Sequence, residues 1–175
     1  MEFSRAIHTM LKASGLVGVD LRWVSEFEVE RPYQQLLCHD RDMTSTLGDF
    51  HEGEVSLKVL KEYLVADLYM REVVLSVDEK PVEYGLIEIH LQEFPDDLRE
   101  RIVSKGEPLG NILNTSGLSY RSEPSSFFAI KDSDFTPDFF PVTGGGSLFG
   151  RYNTLLNPED RILANILEIL PREHS

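Results

Sequence analysis

Two charged residues in this 175-residue chain stand where strand alternation calls for apolar ones. In the β-rich run from Leu68 to Val77, Arg71 shares its face with Tyr69, Val73, Leu75 and Val77. Near the C-terminus, Glu168 shares its face with Ile162, Ala164, Ile166 and Leu170. A charge on an apolar face must be paired, solvated or used, because an isolated buried charge costs many kcal/mol. Two readings follow. Arg71 and Glu168 pair with each other or with edge groups, or they hold a ligand, the guanidinium fork taking a carboxylate. A third feature is Pro108-Leu109-Gly110. A proline at a helix start leaves the next backbone N–H groups without intrahelical partners, and these, with the positive end of the helix dipole, favour an anion; an ordinary helix entrance has the same sequence.

Other chemistries are missing their signatures. The chain has no phosphate-binding glycine loop, no G-x-S-x-G elbow and no H-E-x-x-H helix. Cys38 is the only cysteine, so no internal disulfide and no cysteine-built zinc site can form, and its setting in Tyr33-Gln34-Gln35-Leu36-Leu37-Cys38 reads as a small buried hydrophobe. His39, Asp40, Asp42, His51 and Glu52 form a loose cluster whose spacing fits a solvated helix cap better than a metal site. The expectation is therefore no metal and no cofactor.

Composition narrows the partners. Seventeen basic against 30 acidic side chains give a net charge of −13, which repels nucleic acid and anionic lipid. No run approaches the roughly 20 apolar residues of a membrane span, and the first twenty residues carry Glu2, Arg5, Lys12 and Asp20 and do not read as a signal peptide. A cytoplasmic protein is expected, a monomer or weak dimer, whose partner is a small molecule. An anionic ligand would need concentrated positive charge at its site.

The elements that must position these residues follow from periodicity. A first helix is predicted over 3–13, with Phe3, Ile7, Met10 and Leu11 on one face. A second opens at Pro32 with Tyr33, Leu36 and Leu37 inward, and a third at Met43, capped by Asp42, with Leu47 and Phe50 inward and Gly53 as its stop. Strands follow. Val55, Leu57 and Val59 alternate with polar residues, and Asp78-Glu79-Lys80-Pro81 turns Leu68–Val77 into a strand carrying Ile87, Ile89 and Leu91. Such meanders suit a sheet with one face packed and one partly wet. Two short helices, started by Pro95 and Pro108 and ended by Gly106 and Gly117, precede strands at Leu118–Arg121 and Phe127–Ile130. Asp132 to Gly146 is the longest predicted loop, and a hairpin turning at Asn157-Pro158-Glu159-Asp160 joins Leu148–Leu156 to Ile162–Leu170. The predicted class is α+β, an antiparallel sheet flanked by helices, in one domain spanning 1–175.

Five segments in order, Asp42-Met43-Thr44, Tyr69 to Leu75, Glu107-Pro108-Leu109-Gly110, Leu148-Phe149-Gly150-Arg151 and Leu167-Glu168-Ile169-Leu170-Pro171, make the chain from about residue 40 onward similar to the chorismate pyruvate-lyase family. The resemblance implies a chorismate lyase-like fold with the ligand enclosed under helical flaps. It implies that chorismate is split into 4-hydroxybenzoate and pyruvate, with Arg71 and Glu168 as the catalytic pair. Arg71 would bind a substrate carboxylate, helped by the Leu109 amide and Gly110, and Glu168 would contact the ring hydroxyl. Met43 would lie near the ligand, and Arg121 and Arg151 would be supporting charges. The first 40 residues and Ser122 to Gly146, including Asp132, Asp134 and Asp138, depart from the family's pattern. The same fold also serves as the effector-sensing domain of some bacterial repressors, in which an N-terminal DNA-binding helix-turn-helix precedes it. A non-catalytic domain binding a hydroxybenzoate or related aromatic acid, and a lyase giving a different hydroxybenzoate, are the alternatives.

Overall fold

The computed structural model describes residues 2–16, 18–131, 134–135, 137–140 and 145–172. Its centre is one seven-stranded antiparallel sheet. The chain opens with helix α1 (Glu2–Ala13) and strand β1 (Leu21–Val24), then short α2 (Tyr33–Leu37) and α3 (Met43–His51). Strands β2 (Val55–Val65), β3 (Leu68–Val77) and β4 (Lys80–His90) form a meander. Asp78 and Glu79 both have positive φ, the two-residue turn whose twist matches that of the strands it joins. Helices α4 (Asp96–Val103) and α5 (Leu109–Ser116) follow, then β5 (Arg121–Lys131), β6 (Ser147–Leu156) and β7 (Ile162–Leu170).

The strand order is β1-β5-β6-β7-β4-β3-β2, so β7 lies between the two locally paired groups. Its register sets Gly85 opposite Glu168 on one side and Glu168 opposite Arg151 on the other. Arg71 stands opposite Ile87, and Ile87 opposite Ile166. One sheet face thus carries Arg71, Ile87, Ile166, Glu168 and Arg151.

That face is covered by helices α2 to α5 in two apolar clusters. One gathers Leu98, Ile102, Ile112 and Leu113 against Val73, Ile87 and Ile166; the other gathers Tyr33, Leu36, Leu37 and Leu47 against Leu75, Val77 and Phe149. The opposite face is covered too. Ile7, Met10 and Leu11 of α1, with Phe135 and Phe140, close over Val74, Tyr84, Leu86 and Leu167. The sheet is therefore packed on both faces and not half wet, and the polar positions Glu88 and His90 describe only the far end of β4, with Gln92 in the single turn of 3-10 helix beyond it.

Smaller differences have local causes. Phe50 is 40% exposed and lies edge-on to the His51 ring, so the inward stripe of α3 stops at Leu47. The chain leaves α3 at Glu52, whose φ is 55°, and Gly53 follows because a Cβ there would come within 2.4 Å of Val77. The two short strands expected between Leu118 and Ile130 are one strand, β5, starting at Arg121, with an irregularity between Pro124 and Ser126. Strand β1 was not visible in the periodicity of so short a segment. Of the long loop, Asp132 and Gly144 lie outside the described residues, as does the side chain of Phe3.

Candidate functional site

A pocket opens at the seam between the two apolar clusters, with about 490 Å³ of space free of protein atoms when the open solvent at its mouth is included. Its floor is sheet, from Val73, Leu75, Ile87 and Ile166, and its far side is the start of two helices, Asp42-Met43-Thr44 and Pro108-Leu109-Gly110. Arg71, Glu83 and Asn153 bring polar groups to this mostly apolar wall.

The two helix starts are electrostatically unequal. At α3, Asp42 Oδ1 accepts the Ser45 N–H at 2.8 Å, so a carboxylate already occupies the positive end of that dipole. At α5 the residue before the helix is Pro108, which offers no capping side chain. The first N–H groups of α5 have no partner within the helix. The starts are tied together, since Asn114 Nδ2 donates to Asp42 Oδ2 at 3.0 Å and Tyr120 donates to Asn114 Oδ1 at 3.0 Å. Gly110 sits at their closest approach. A Cβ there would lie 2.7 Å from Thr44 Oγ1 and 2.8 Å from Asp42 Oδ1, so glycine lets α5 pack on α3 beside the pocket.

Arg71 is 2% exposed. Nη1 donates a long 3.4 Å bond to the Ile102 carbonyl, at the end of α4, while Nε and Nη2 have no hydrogen-bond partner among the described residues. Burial pulls its pKa down, against the opposing influence of Tyr69 and Glu62. An under-partnered buried guanidinium is costly to the folded protein, and a ligand carboxylate would relieve that cost. Arg71 and Glu168 do not pair with each other.

Glu168 pairs instead with Arg151. Arg151 is wholly buried and donates Nε to Glu168 Oε2, Nη1 to the carbonyls of Leu37 (3.0 Å) and His39 (2.9 Å), and Nη2 to that of Arg41 (3.3 Å). One guanidinium thereby anchors the backbone of 37–41, which leads directly into the Asp42-Met43-Thr44 rim. Glu168 and Arg151 belong to the sheet beneath the pocket and are not among its lining residues, so the expectation that Arg151 is a supporting charge at the ligand becomes a role in holding the rim. Arg121 is placed elsewhere. Its half-exposed side chain pairs with Glu123 at 2.8 Å and Asp160 at 2.7 Å at the end of β5, because the first residue of that strand points past the sheet into solvent.

Sequence reasoning missed Glu83. It lines the pocket, is 3% exposed, and its Oε2 has no hydrogen-bond partner among the described residues. Burial pushes its carboxyl well above the usual range, the Glu168 charge pushes the same way, and Arg151 opposes them. The signal was present, for stepping back by twos from Ile89 and Ile87 through Gly85 reaches Glu83.

Within the histidine-acid cluster, His39 is tied to the local backbone. His39 Nδ1 accepts the Arg41 N–H at 3.2 Å, which leaves the Nε2 hydrogen for the Leu36 carbonyl at 2.7 Å. Burial first, then the Arg151 charge, lowers its pKa. Among the described residues no group of three His, Cys, Asp or Glu side chains could hold a metal ion, and no helix is long and apolar enough to cross a membrane.

No protein-family profile matches the chain. A Methanocaldococcus jannaschii protein provisionally named a lyase is 23% identical over 139 residues, covering 77% of this chain and 74% of that protein. Among solved structures, the effector domain of PhnF from Mycobacterium smegmatis superposes with a TM-score of 0.56 at 13% identity, covering 77% of this chain and 96% of that domain. The gene product SA0254 of Staphylococcus aureus superposes at 0.52 with 12% identity, covering 74% of this chain and 87% of its own. The two superpositions show a shared fold, an antiparallel sheet with helices.

Proposed function

We propose that the pocket binds a small cyclic carboxylate and that the protein is a lyase removing pyruvate from chorismate to give 4-hydroxybenzoate. The observation that carries this reading is Arg71, buried at the wall of an apolar pocket with two nitrogens, Nε and Nη2, lacking a partner among the described residues, and sharing that pocket with the uncapped start of α5. A carboxylate satisfies both at once, through a charge-assisted fork and the amides of Leu109 and Gly110. Leu57, Val73, Ile87 and Leu113 offer a flat ring an apolar slot, and α3 and α5 serve as the flaps that enclose it.

The chemistry asks little else of the protein. The bond between the ring carbon and the enolpyruvyl oxygen breaks, and the hydrogen on the carbon bearing the hydroxyl leaves as a proton. The departing enolpyruvate takes up a proton at its methylene carbon to become pyruvate. Aromatisation drives the step, so orientation, water exclusion and electrostatic stabilisation of the shifting charge suffice. Chorismate has two carboxylates, and Arg71 with the α5 amides supplies positive potential for the one on the ring within a protein whose average field repels anions.

The test is incubation of the purified protein with chorismate, following pyruvate and the aromatic product separately. Equal release of pyruvate and 4-hydroxybenzoate is expected. The likeness to an effector domain supports a second reading, in which the same pocket senses an aromatic acid without turnover. Tight binding of 4-hydroxybenzoate with no pyruvate released from chorismate would select it. Formation of another hydroxybenzoate would overturn the specificity and keep the lyase.

A further inference from the structure

The pocket holds a second unsatisfied group. Glu83 Oε2 is buried and without a hydrogen-bond partner among the described residues, while the position a Cβ would take on Gly85 lies 3.2 Å from Glu83 Oε1. The missing side chain at Gly85 is thus what gives the Glu83 carboxyl room. Gly85 is the register partner of Glu168, whose charge bears on the Glu83 carboxyl. Among the described residues the guanidinium acting on both is that of Arg151, and its Nε goes to Glu168. Two carboxyls sharing one buried cation retain a proton between them, because both cannot ionise in a dry site. The one without a cation, Glu83, is then able to donate as well as accept.

Its place relative to Arg71 is set by the sheet. Glu83 lies four residues along β4 from Ile87, the partner of Arg71, but its carboxyl reaches back to Gly85, which is two residues from Ile87, a separation of about 7 Å along the strand. Arg71 turns Nη1 toward Ile102, and the apolar wall lies between the two polar groups. A ring with substituents on opposite sides spans such a gap, whereas two neighbouring substituents do not.

We propose that Glu83 is the specificity-determining residue of the pocket, hydrogen-bonding a ligand hydroxyl set across the ring from the carboxylate held by Arg71. This rests on the cyclic-carboxylate reading of the pocket and adds to it the group that chooses among such acids. Glu168, hydrogen-bonded to Arg151 beneath the pocket, acts on the ligand only through Glu83.

The test is calorimetric titration of the full chain with 4-hydroxybenzoate, 2-hydroxybenzoate and benzoate, on wild type, Glu83→Leu and Glu83→Gln. Wild type is expected to bind 4-hydroxybenzoate about tenfold or more tightly than the other two, the scale of leaving a buried polar group unpaired. Glu83→Leu should bind 4-hydroxybenzoate and benzoate within about twofold of each other while keeping the benzoate affinity of wild type. Glu83→Gln, which both donates and accepts, should retain most of the preference. If wild type binds none of the three acids, the pocket reading fails and the inference with it. If wild type binds all three alike, or Glu83→Leu keeps the preference, the pocket reading stands and the role of Glu83 is overturned. Loss of benzoate binding in both variants would make Glu83 a structural residue and equally overturn it.

Discussion

Replacing Arg71 with methionine separates a binding arginine from a structural one, because a structural role predicts a large loss of stability and a binding role almost none. Arg71 donates a long 3.4 Å hydrogen bond to the Ile102 carbonyl, lies beside the Tyr69 hydroxyl, and leaves Nε and Nη2 without a partner among the described residues. A well-formed hydrogen bond contributes about 1 kcal/mol, and one this long contributes less. Against that loss stands relief from an under-partnered buried cation, whose lowered pKa reports the strain of desolvation. Methionine fills similar volume with adaptable packing. Folding stability should therefore change by less than about 1 kcal/mol, with a rise as acceptable as a fall, and Tm should stay within about 4 °C. Ligand binding should respond differently. A charge-assisted bond contributes about 1.5–3 kcal/mol, so affinity for 4-hydroxybenzoate should fall between about tenfold and 150-fold. Two N–H groups are unused, which places the expected loss toward the upper end. Arg71→Lys should recover only part of it, because an ammonium lacks the planar fork. The assay is thermal melting and calorimetric titration of the same preparation. A Tm lowered by 10 °C or more with affinity within twofold of wild type would refute the reasoning.

Arg151→Met should behave in the opposite way. It strands the Glu168 carboxylate and frees three carbonyls, so stability should drop by about 3–5 kcal/mol, measured by denaturant unfolding. Replacing Glu168 with leucine in the same protein should return a good part of that loss. Glu83→Gln should alter the pH dependence of stability. The folded carboxyl titrates above its unfolded value, so its contribution is fully present below about pH 4.3 and is lost as pH rises toward the folded pKa. The Tm difference between Glu83→Gln and wild type should grow as pH increases from 4 upward, and a constant difference would mean that Glu83 is ionised in the folded protein.

Much of the site could be read from local rules. Arg71 stood out as a charge on an apolar strand face, Asp42 as a helix cap and Pro108 as a helix entrance lacking one, and each of these depends on residues a few positions apart. The two residues that change the picture depend on distant ones. Arg151 bonds carbonyls more than a hundred residues earlier in the chain, and no periodicity encodes such a partner. Glu83 follows a polar turn and faces a register irregularity between Leu75 and Ser76, so its neighbourhood reads as hairpin surface although its parity is that of the core. The burial of the second sheet face was hidden for a similar reason. Phe135 and Phe140, which meet Tyr84 and Phe139 edge-on, come from a segment whose prolines and glycines announce a loop and say nothing of where it lies. Arg121 shows the converse, since its side chain at the first position of β5 pairs with Glu123 and Asp160 and is not among the residues lining the pocket.

The position of β7 has a consequence for how the molecule is made. Strands β2, β3 and β4 pair through short turns and can assemble as soon as they are synthesised, and β5 pairs directly with β6. These two groups touch across the sheet only through β7, the last of the seven to leave the ribosome. Until its backbone slides between them, each group exposes an open strand edge and half of an apolar floor, the condition in which partly folded chains associate with one another. Closure of the sheet joins segments some eighty residues apart, such as Gly85 with Glu168, and contacts of that span are slow to form. Nascent chains halted before residue 160 should accordingly be far more dependent on chaperones than those released ten residues later, and the ligand pocket, whose floor includes Ile166, cannot exist in them at all.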